Sequence, residues 1–452
     1  MKRNDIVEAH ITDISFPNKA KGTAMGEPIV AKNALPGQKV LVRISQKRSG
    51  HYEGEVKEIL ERSPLETQKG CSHFDICGGC SYQRLDYQNE LELKKNMVLK
   101  LLTNVCSSDF IFEGILGAPE DTCYRNKCEF SFGDSEKDGE LALGMRKRKS
   151  FYEVVTLKDC NIVDSDYLKI IEANLDFFSK RNVPFYHKKR HDGVLRHLVV
   201  RKAAFTGEIL INLITASTYT FSPSEYAEVL TNLSLDGKIA GILHTINDNF
   251  ADSVQSDQTN LLYGNDYFYE ELLGLKFKIS PFSFFQTNSK GAERLYSVVK
   301  DYVGSATDKT IFDLYCGTGT IGQIMSKNAK KVIGIELVEE AVEAAKQNAL
   351  LNGIDNCEFI AGDVLKLVDE LEEKPDIIIV DPPRDGIHPK AIGKIIGFNA
   401  PVIVYVSCKP TSLVRDLEVF EANGYKTEKI KCVDMFPRTA HVETVVLLTK
   451  KC

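Results

Sequence analysis

The 452-residue sequence has no run of 18 or more apolar residues, which excludes an ordinary membrane-spanning helix. Its opening stretch, MKRNDIVEAHITDI, alternates polar and apolar residues and has no apolar core, so no secretory signal is expected. Cysteine is sparse: 12 residues in this length do not make a disulfide scaffold, and without a signal the expected compartment is the reducing cytoplasm. Positive charge is not in excess either. A net charge of −6 excludes a uniformly basic nucleic-acid coat, though not a local basic face. There is no internal repeat and no low-complexity tract. What is present is an ordinary globular balance, 43% hydrophobic and 27% charged residues, over a length that suggests about two to four domains.

Residues 1–62 read as a small OB-like β-barrel. IVEAHITDI, KVLVRISQ and YEGEVKEIL alternate as strands do, between turn signals MGEP, NALPGQ and KRSG. This stretch holds 11 basic and 8 acidic residues, a modest bias that suits RNA binding or a plain solvated surface equally well. Residues 63–272 read as a central α/β domain. It opens on CSHFDICGGC, followed by a helix through LDYQNELELKKNMVLKLLTN. LRHLVVRKAAFTGEILINLIT further on has the pattern of a hairpin. From Glu140 to Lys202 there are 14 basic and 8 acidic residues, densest at RKRK (Arg146–Lys149) and HKKR (His187–Arg190). Arg196, Arg201 and the RKRK run are candidate phosphate contacts. Cys71, Cys77 and Cys80 offer three soft ligands from one loop. Spacing alone leaves the metal open, and zinc is allowed. Cys106, Cys357, Cys432 and Cys452 read as ordinary thiols.

Residues 273–452 change rhythm. TIFDLYCGTGTIG, KVIGIEL, CEFIAGDV, PDIIIVDPPR and APVIVYVSC alternate with amphipathic helices, a Rossmann-like series that implies a parallel, doubly wound sheet. The first strand ends in Asp313, followed by Gly317 and Gly319 in a tight turn. Glu336 stands 23 residues on, at the end of the next strand, where a carboxylate suits ribose hydroxyls. Asp363 ends the third strand and could border an adenine. A Walker lysine is missing after this turn, and the two acids at successive strand ends point to S-adenosylmethionine rather than a dinucleotide.

The fourth strand delivers Asp381-Pro-Pro-Arg, and the fifth delivers Cys408 in a turn before a helix, whose N-terminus is expected to help lower the thiol's pKa. Glu443 lies in an otherwise apolar segment, either as an edge-strand carboxylate or as a base held in a pocket. A thiolate, a carboxylate and a methylsulfonium together suit one reaction. The C5 of a pyrimidine is a poor nucleophile until a thiolate adds to C6. C5 then takes the methyl group, and a base removes the C5 proton so that the thiolate leaves.

The motifs DLYCGTGTIG, DPPRDG, SCKPTSLVRDL and HVETVVLL resemble the RNA 5-methyluridine (uracil-C5) methyltransferase family of the class I RNA methyltransferases. So do SPFSFFQTN (Ser280–Asn288), YRNKCEFSFG (Tyr124–Gly133) and LRHLVVR (Leu195–Arg201), and the first 60 residues resemble the TRAM domain. The resemblance implies Cys408 as nucleophile and Glu443 as proton acceptor. It implies Gln286, Tyr315, Glu336 and Asp381, with Asp363 less directly, as S-adenosylmethionine contacts. It also implies a [4Fe–4S] cluster on Cys71, Cys77, Cys80 and Cys160. Lys409 departs from the asparagine that usually follows the nucleophile in the family, and a lysine there could stabilise the thiolate. Phe282, Phe284 and Phe285 are possible stacking partners for the target base, one or two of them expected in the core.

Rival readings differ at specific residues. A cytosine-C5 RNA methyltransferase would carry Pro-Cys where this chain has Asp-Pro-Pro-Arg. An amino-group methyltransferase would favour an aromatic residue after Pro-Pro. An RNA-binding or RNA-folding factor without catalysis would have no use for Cys408, Glu443 and Gln286. The expected partner is RNA, with 23S rRNA favoured over tRNA because both barrel and cysteine set are present. No membrane and no obligate protein partner are expected.

Overall fold

Small side chains at alternating positions close the first strands into a barrel. The computed structural model describes residues 1–67, 70–106, 109–137, 139–250, 258–367 and 371–451. Strands Ile6–Ser15, Lys19–Ala24, Glu27–Lys32, Lys39–Arg48 and His51–Glu61 form a closed five-stranded barrel. Val7, Ala9 and Ile11 point inward, and a register shift before Asp13 changes the phase, so that Ile14 is the next residue buried. Ile14 packs with Tyr82, Leu85 and Met97, which ties the barrel to the segment after the cysteine loop.

That segment is a helix, Tyr87–Leu102, started by Asp86, whose side chain accepts from the Gln88 amide. The middle of the chain builds a seven-stranded sheet. Its spatial order is Gln258–Gly264, Lys238–Ile246, Glu208–Thr215, Leu195–Lys202, Lys127–Asp134, Leu141–Arg146 and Val154–Thr156. Leu195–Lys202 and Glu208–Thr215 pair antiparallel, as the hairpin pattern predicts. Helices Ser165–Ser179 and Pro223–Thr231 cover it through an aromatic core that includes Phe130, Tyr167, Phe178 and Tyr226.

The C-terminal sheet has eight strands in the order Cys357–Ala361, Ala329–Glu336, Ala306–Leu314, Ile377–Val380, Val402–Ser407, Glu443–Lys450, Tyr425–Val433 and Ile111–Leu116. The first five are parallel to one another. Ile377–Val380 is buried at every position: Ile377 and Ile379 face one helical layer, Ile378 and Val380 the other. Such continuous apolar runs belong to strands covered on both faces. The last strand, Ile111–Leu116, comes from far upstream. The helix before it contributes Val98 and Leu102 to the same core, which local periodicity gives no means of foreseeing. Strand order reverses between Ala306–Leu314 and Ile377–Val380, and a crevice opens at such a switch point beyond the carboxyl ends. Among the described residues no helix is long and apolar enough to cross a membrane.

Candidate active site

The crevice is a cavity of about 1260 Å³, larger than a pocket for one small ligand needs. Gln286, Tyr315, Glu336, Asp363, Asp381, Cys408 and Glu443 all line it. Each stands where a strand or loop ends at the same edge of the sheet.

The turn after Ala306–Leu314 is tight. Tyr315, Gly317 and Gly319 all have positive φ (64°, 55° and 70°). At Gly319 a Cβ would stand 2.5 Å from the Phe359 ring, so only glycine fits both the conformation and the space. The turn places the Gly317 amide 3.0 Å from one Glu336 oxygen, and the Val338 amide is 3.0 Å from the other. Two backbone donors thus aim this carboxylate. Asp313 is fully buried and accepts from the Gly322 amide at 2.8 Å. Burial, then the nearby Asp381 and Glu336, push it up to about 7.

Asp381 is pushed up to about 7 by burial. Glu443 is pushed up to about 8, by burial first and then by Asp381, with the Arg384 guanidinium pulling the other way. Glu443 opens the strand Glu443–Lys450, which lies between two others, so it is a pocket residue and not an edge carboxylate. Cys408 is pushed up to about 11 by burial, Glu443 and Asp381, against the pull of Arg384. The helix N-terminus beyond it does not offset these effects, contrary to the expectation of a lowered pKa. Nor does Lys409 serve the thiol: its ammonium lies 3.5 Å from Asp385 at the surface. The cation facing both Cys408 and Glu443 is Arg384.

Three residues of this wall have no assigned role in the sequence reading. Arg384 sits inside a recognised motif, and that was the available signal. His441, two residues before Glu443, is driven down to about 4 by burial and Arg384 and stays neutral. Tyr296 lies on the helix Ser289–Val303 with its hydroxyl toward Gln286, behind Asp381, Asp313 and Glu443. Its helical spacing is indistinguishable from that of a core residue. The Gln286 backbone carbonyl accepts from the Asn126 amide side chain at 3.0 Å, which brings the middle sheet to the cleft. Phe285 packs on Phe277, whereas Phe282 and Phe284 stand open in the cavity, Phe284 with 69% exposure.

Two expected RNA contacts are corrected. Arg196 and Arg201 are buried in the middle sheet. Arg196 donates to the carbonyls of Asn247 (2.8 Å) and Asn249 (2.7 Å), and Arg201 donates to Ser283 O at 2.5 Å. They brace loops from inside and cannot meet a phosphate.

The segments that carry the four expected metal ligands adjoin one another. The Cys71 thiol donates to Asp159 O at 3.3 Å, next to Cys160. Gln83 and Asn161 bond reciprocally at 2.7 and 2.8 Å, which holds Cys80 against the Cys160 turn. Two N–H groups aim at sulfur: Gly79 N at Cys77 (3.4 Å) and Gln83 Nε2 at Cys80 (3.3 Å). No three of the four sulfurs lie within 4.8 Å of one another. Cys106 and Cys432 are buried and Cys357 partly so, while Cys452 lies outside the described residues.

Comparison with known proteins gives the same direction. A family model described as tRNA (uracil-5-)-methyltransferase matches residues 253–451. A Clostridium tetani protein named as an uncharacterized RNA methyltransferase is 50% identical over 451 residues, 100% of this chain and 99% of its own. One of the same name from Clostridium acetobutylicum is 52% identical over the same shares. Among solved structures, the Pyrococcus abyssi tRNA (uracil-54, C5)-methyltransferase in complex with S-adenosyl-L-homocysteine superposes with a TM-score of 0.77. It is 26% identical, over 98% of this chain and 100% of that one.

Proposed function

The chain belongs to the uracil-5 RNA methyltransferase family, and on that premise we propose that it methylates C5 of a uridine in structured RNA with S-adenosylmethionine as methyl donor. One observation supports this above the others: a single cavity holds Cys408, Glu443 and the acids suited to the donor, with room for a nucleotide beside it. When bound, S-adenosylmethionine supplies an electrophilic methyl group on a cationic sulfur. The aimed Glu336 carboxylate would accept from its ribose hydroxyls, and Asp363 would border the adenine end. Burial raises Asp313, Asp381 and Glu443 together, and a cationic ligand beside them would favour their charged forms.

Cys408 adds to C6 of the uracil as thiolate, and the electron pair released at C5 takes the methyl group as its bond to the donor sulfur breaks and leaves S-adenosylhomocysteine. Glu443 then removes the C5 proton, and the pair left behind expels the thiolate and restores the ring. Arg384 faces both groups and favours the anionic form of each. Phe282 and Phe284 offer faces on which an unstacked base can rest, with Gln286 beside them. The barrel of residues 1–62, read as a TRAM domain, and the central domain of 63–272 would hold the rest of the RNA.

We take the cysteine set to hold a [4Fe–4S] cluster. Partly buried thiols with N–H donors aimed at sulfur suit such a centre. The cluster would hold the loop in place. Anaerobically purified protein should carry about four irons and four labile sulfides per chain, and stoichiometric zinc instead would overturn the assignment.

For the RNA, barrel and cysteine set together favour 23S rRNA. The second reading, tRNA, is favoured by the full-length likeness to a tRNA (uracil-54, C5)-methyltransferase. Labelled methyl transfer to separate unmodified tRNA and 23S RNA pools, with nucleoside analysis, tests both. Label in 5-methyluridine supports the reaction, and the labelled pool names the substrate. Label in 5-methylcytidine overturns the base assignment, and none in either pool overturns the substrate assignment.

A further inference from the structure

We propose that Phe151 and Tyr152, framed by Arg146, Lys188 and Lys189, form a stacking platform for unpaired bases of a single-stranded RNA segment outside the catalytic cavity. The proposal rests on the reading of RNA as substrate and adds a second recognition surface to it. None of the five residues lines the catalytic cavity.

Phe151 is 56% exposed and Tyr152 43% exposed, adjacent rings at 5.3 Å in an edge-to-face arrangement. Two large exposed aromatic side chains side by side are costly to leave in water without a partner. Their surroundings say which partner. The Arg146 guanidinium lies 4.9 Å from the Phe151 ring centre and the Lys188 ammonium 5.3 Å, and the Lys189 ammonium lies 4.7 Å from Tyr152. The two basic runs that are far apart in sequence therefore meet on these rings. An apolar protein surface would gain nothing from three cations around the contact. A nucleic-acid strand uses both halves: bases stack on the rings, while phosphates draw the long cationic side chains off the ring faces and onto themselves. A duplex keeps its bases stacked inside, so the segment is single-stranded.

The platform is also held in fixed relation to the catalytic strand. Gly78 N donates to Arg146 O at 2.9 Å, Arg148 N to Ile76 O at 2.6 Å, and the Arg148 guanidinium to Cys80 O at 2.8 Å. On its other side the cysteine loop reaches the segment before Glu443: Ser81 N and Tyr82 N both donate to Arg438 O, at 2.8 and 3.0 Å. The Lys149 ammonium bonds Val56 O at 3.2 Å and lies 2.8 Å from Glu55 of the barrel. Barrel, cysteine loop and both basic runs thus converge here.

The test uses the full chain and the RNA that the wild type methylates. In the Phe151→Ala/Tyr152→Ala double variant, RNA affinity should fall about tenfold or more, since each stacked base is worth about 1–3 kcal/mol. The loss should appear in KM for RNA rather than in kcat, and the salt slope of binding should stay at the wild-type value, because no charge was removed. Lys188→Gln/Lys189→Gln should instead lower that slope by about two. Phe151→Tyr should keep most of the affinity and Phe151→Leu should not. S-adenosylhomocysteine affinity serves as the check that the fold is intact. RNA affinity and KM unchanged in the aromatic double variant, with the wild type active, would overturn the platform and leave the methyltransferase reading standing. A wild type that neither binds nor methylates RNA would overturn both.

Discussion

The protein gathers two sets of carboxylates, one with a lysine built in among them and one without. In one, the Lys94 ammonium lies 2.7 Å from Glu90 and 2.8 Å from Asp434, all three fully buried, and it also donates to Phe436 O at 3.3 Å. Burial alone would strip Lys94 of its proton, but Asp434 and Glu90 hold it there. In the other, burial raises Asp313, Asp381 and Glu443 to about 7, 7 and 8, and Arg384 opposes the rise only at Glu443. Glu90 of the first set is itself pushed up to about 7 by burial and Asp434, against the pull of Lys94 and Arg438, so the sets differ in the cation each holds and not in direction. Where a cation is built in, the charges join the helix Tyr87–Leu102 to the segment leading to Glu443. Where it is withheld, the protein keeps a site for a cation that arrives with a ligand and for a carboxylate that takes a proton.

Removing groups on each side breaks the comparison in different currencies. Cys408→Ser should cut methyl transfer by roughly 10⁴-fold or more while leaving S-adenosylhomocysteine affinity within about twofold, because the nucleophile is not a donor contact. Loss of ligand binding in isothermal titration would make Cys408 a structural residue instead. Glu443→Gln should lower turnover by about 10²–10⁴-fold. It should also trap a covalent protein–RNA species, visible on a denaturing gel, since methylation can proceed but the C5 proton cannot leave. Slow turnover with no trapped species would remove Glu443 from the proton step.

Lys94→Met turns the paired set into a second unpaired one. It should cost about 3–5 kcal/mol of stability at neutral pH, read from urea unfolding by circular dichroism. Much of the loss should return near pH 5, where the abandoned carboxylates take up protons. A variant as stable as wild type at both pH values would show that the network is not held by this lysine.

The residues that line the cavity were legible in sequence and the Lys94 network was not. Asp313, Glu336, Asp381 and Cys408 each end a β-branched run, and a parallel sheet delivers all such ends to one edge, so linear spacing carries the site. Lys94 and Asp434 are 340 residues apart, and nothing local marks either as half of a pair. The same limit hid the strand Ile111–Leu116 and let Arg196 and Arg201 pass for RNA contacts. A basic residue in a strand has the same letter whether it faces solvent or braces a loop from inside. Tyr296 escaped for a related reason, since its spacing is that of core and only its hydroxyl serves the cleft.

The smallest effect is the one that tests compensation most directly. Glu443 rises from an ordinary 4.5 to about 8 in the folded, ligand-free protein. A raised carboxyl pKa means that the folded state binds the proton more tightly than the unfolded one. Its stabilising contribution is therefore complete below pH 4.5, falls as pH rises through the interval, and is gone above pH 8. Asp313 and Asp381 act with the same sign between their ordinary 3.8 and about 7. Ligand-free wild type should accordingly lose stability from pH 5 to pH 8, and Glu443→Gln should flatten part of that slope and be more stable at pH 8 by about 2 kcal/mol or more. A saturating cationic donor analogue should flatten it as well, whereas S-adenosylhomocysteine, whose sulfur is neutral, should do so less. An identical slope in wild type and Glu443→Gln would mean that the burial of this carboxylate is compensated after all, and the contrast with Lys94 would collapse.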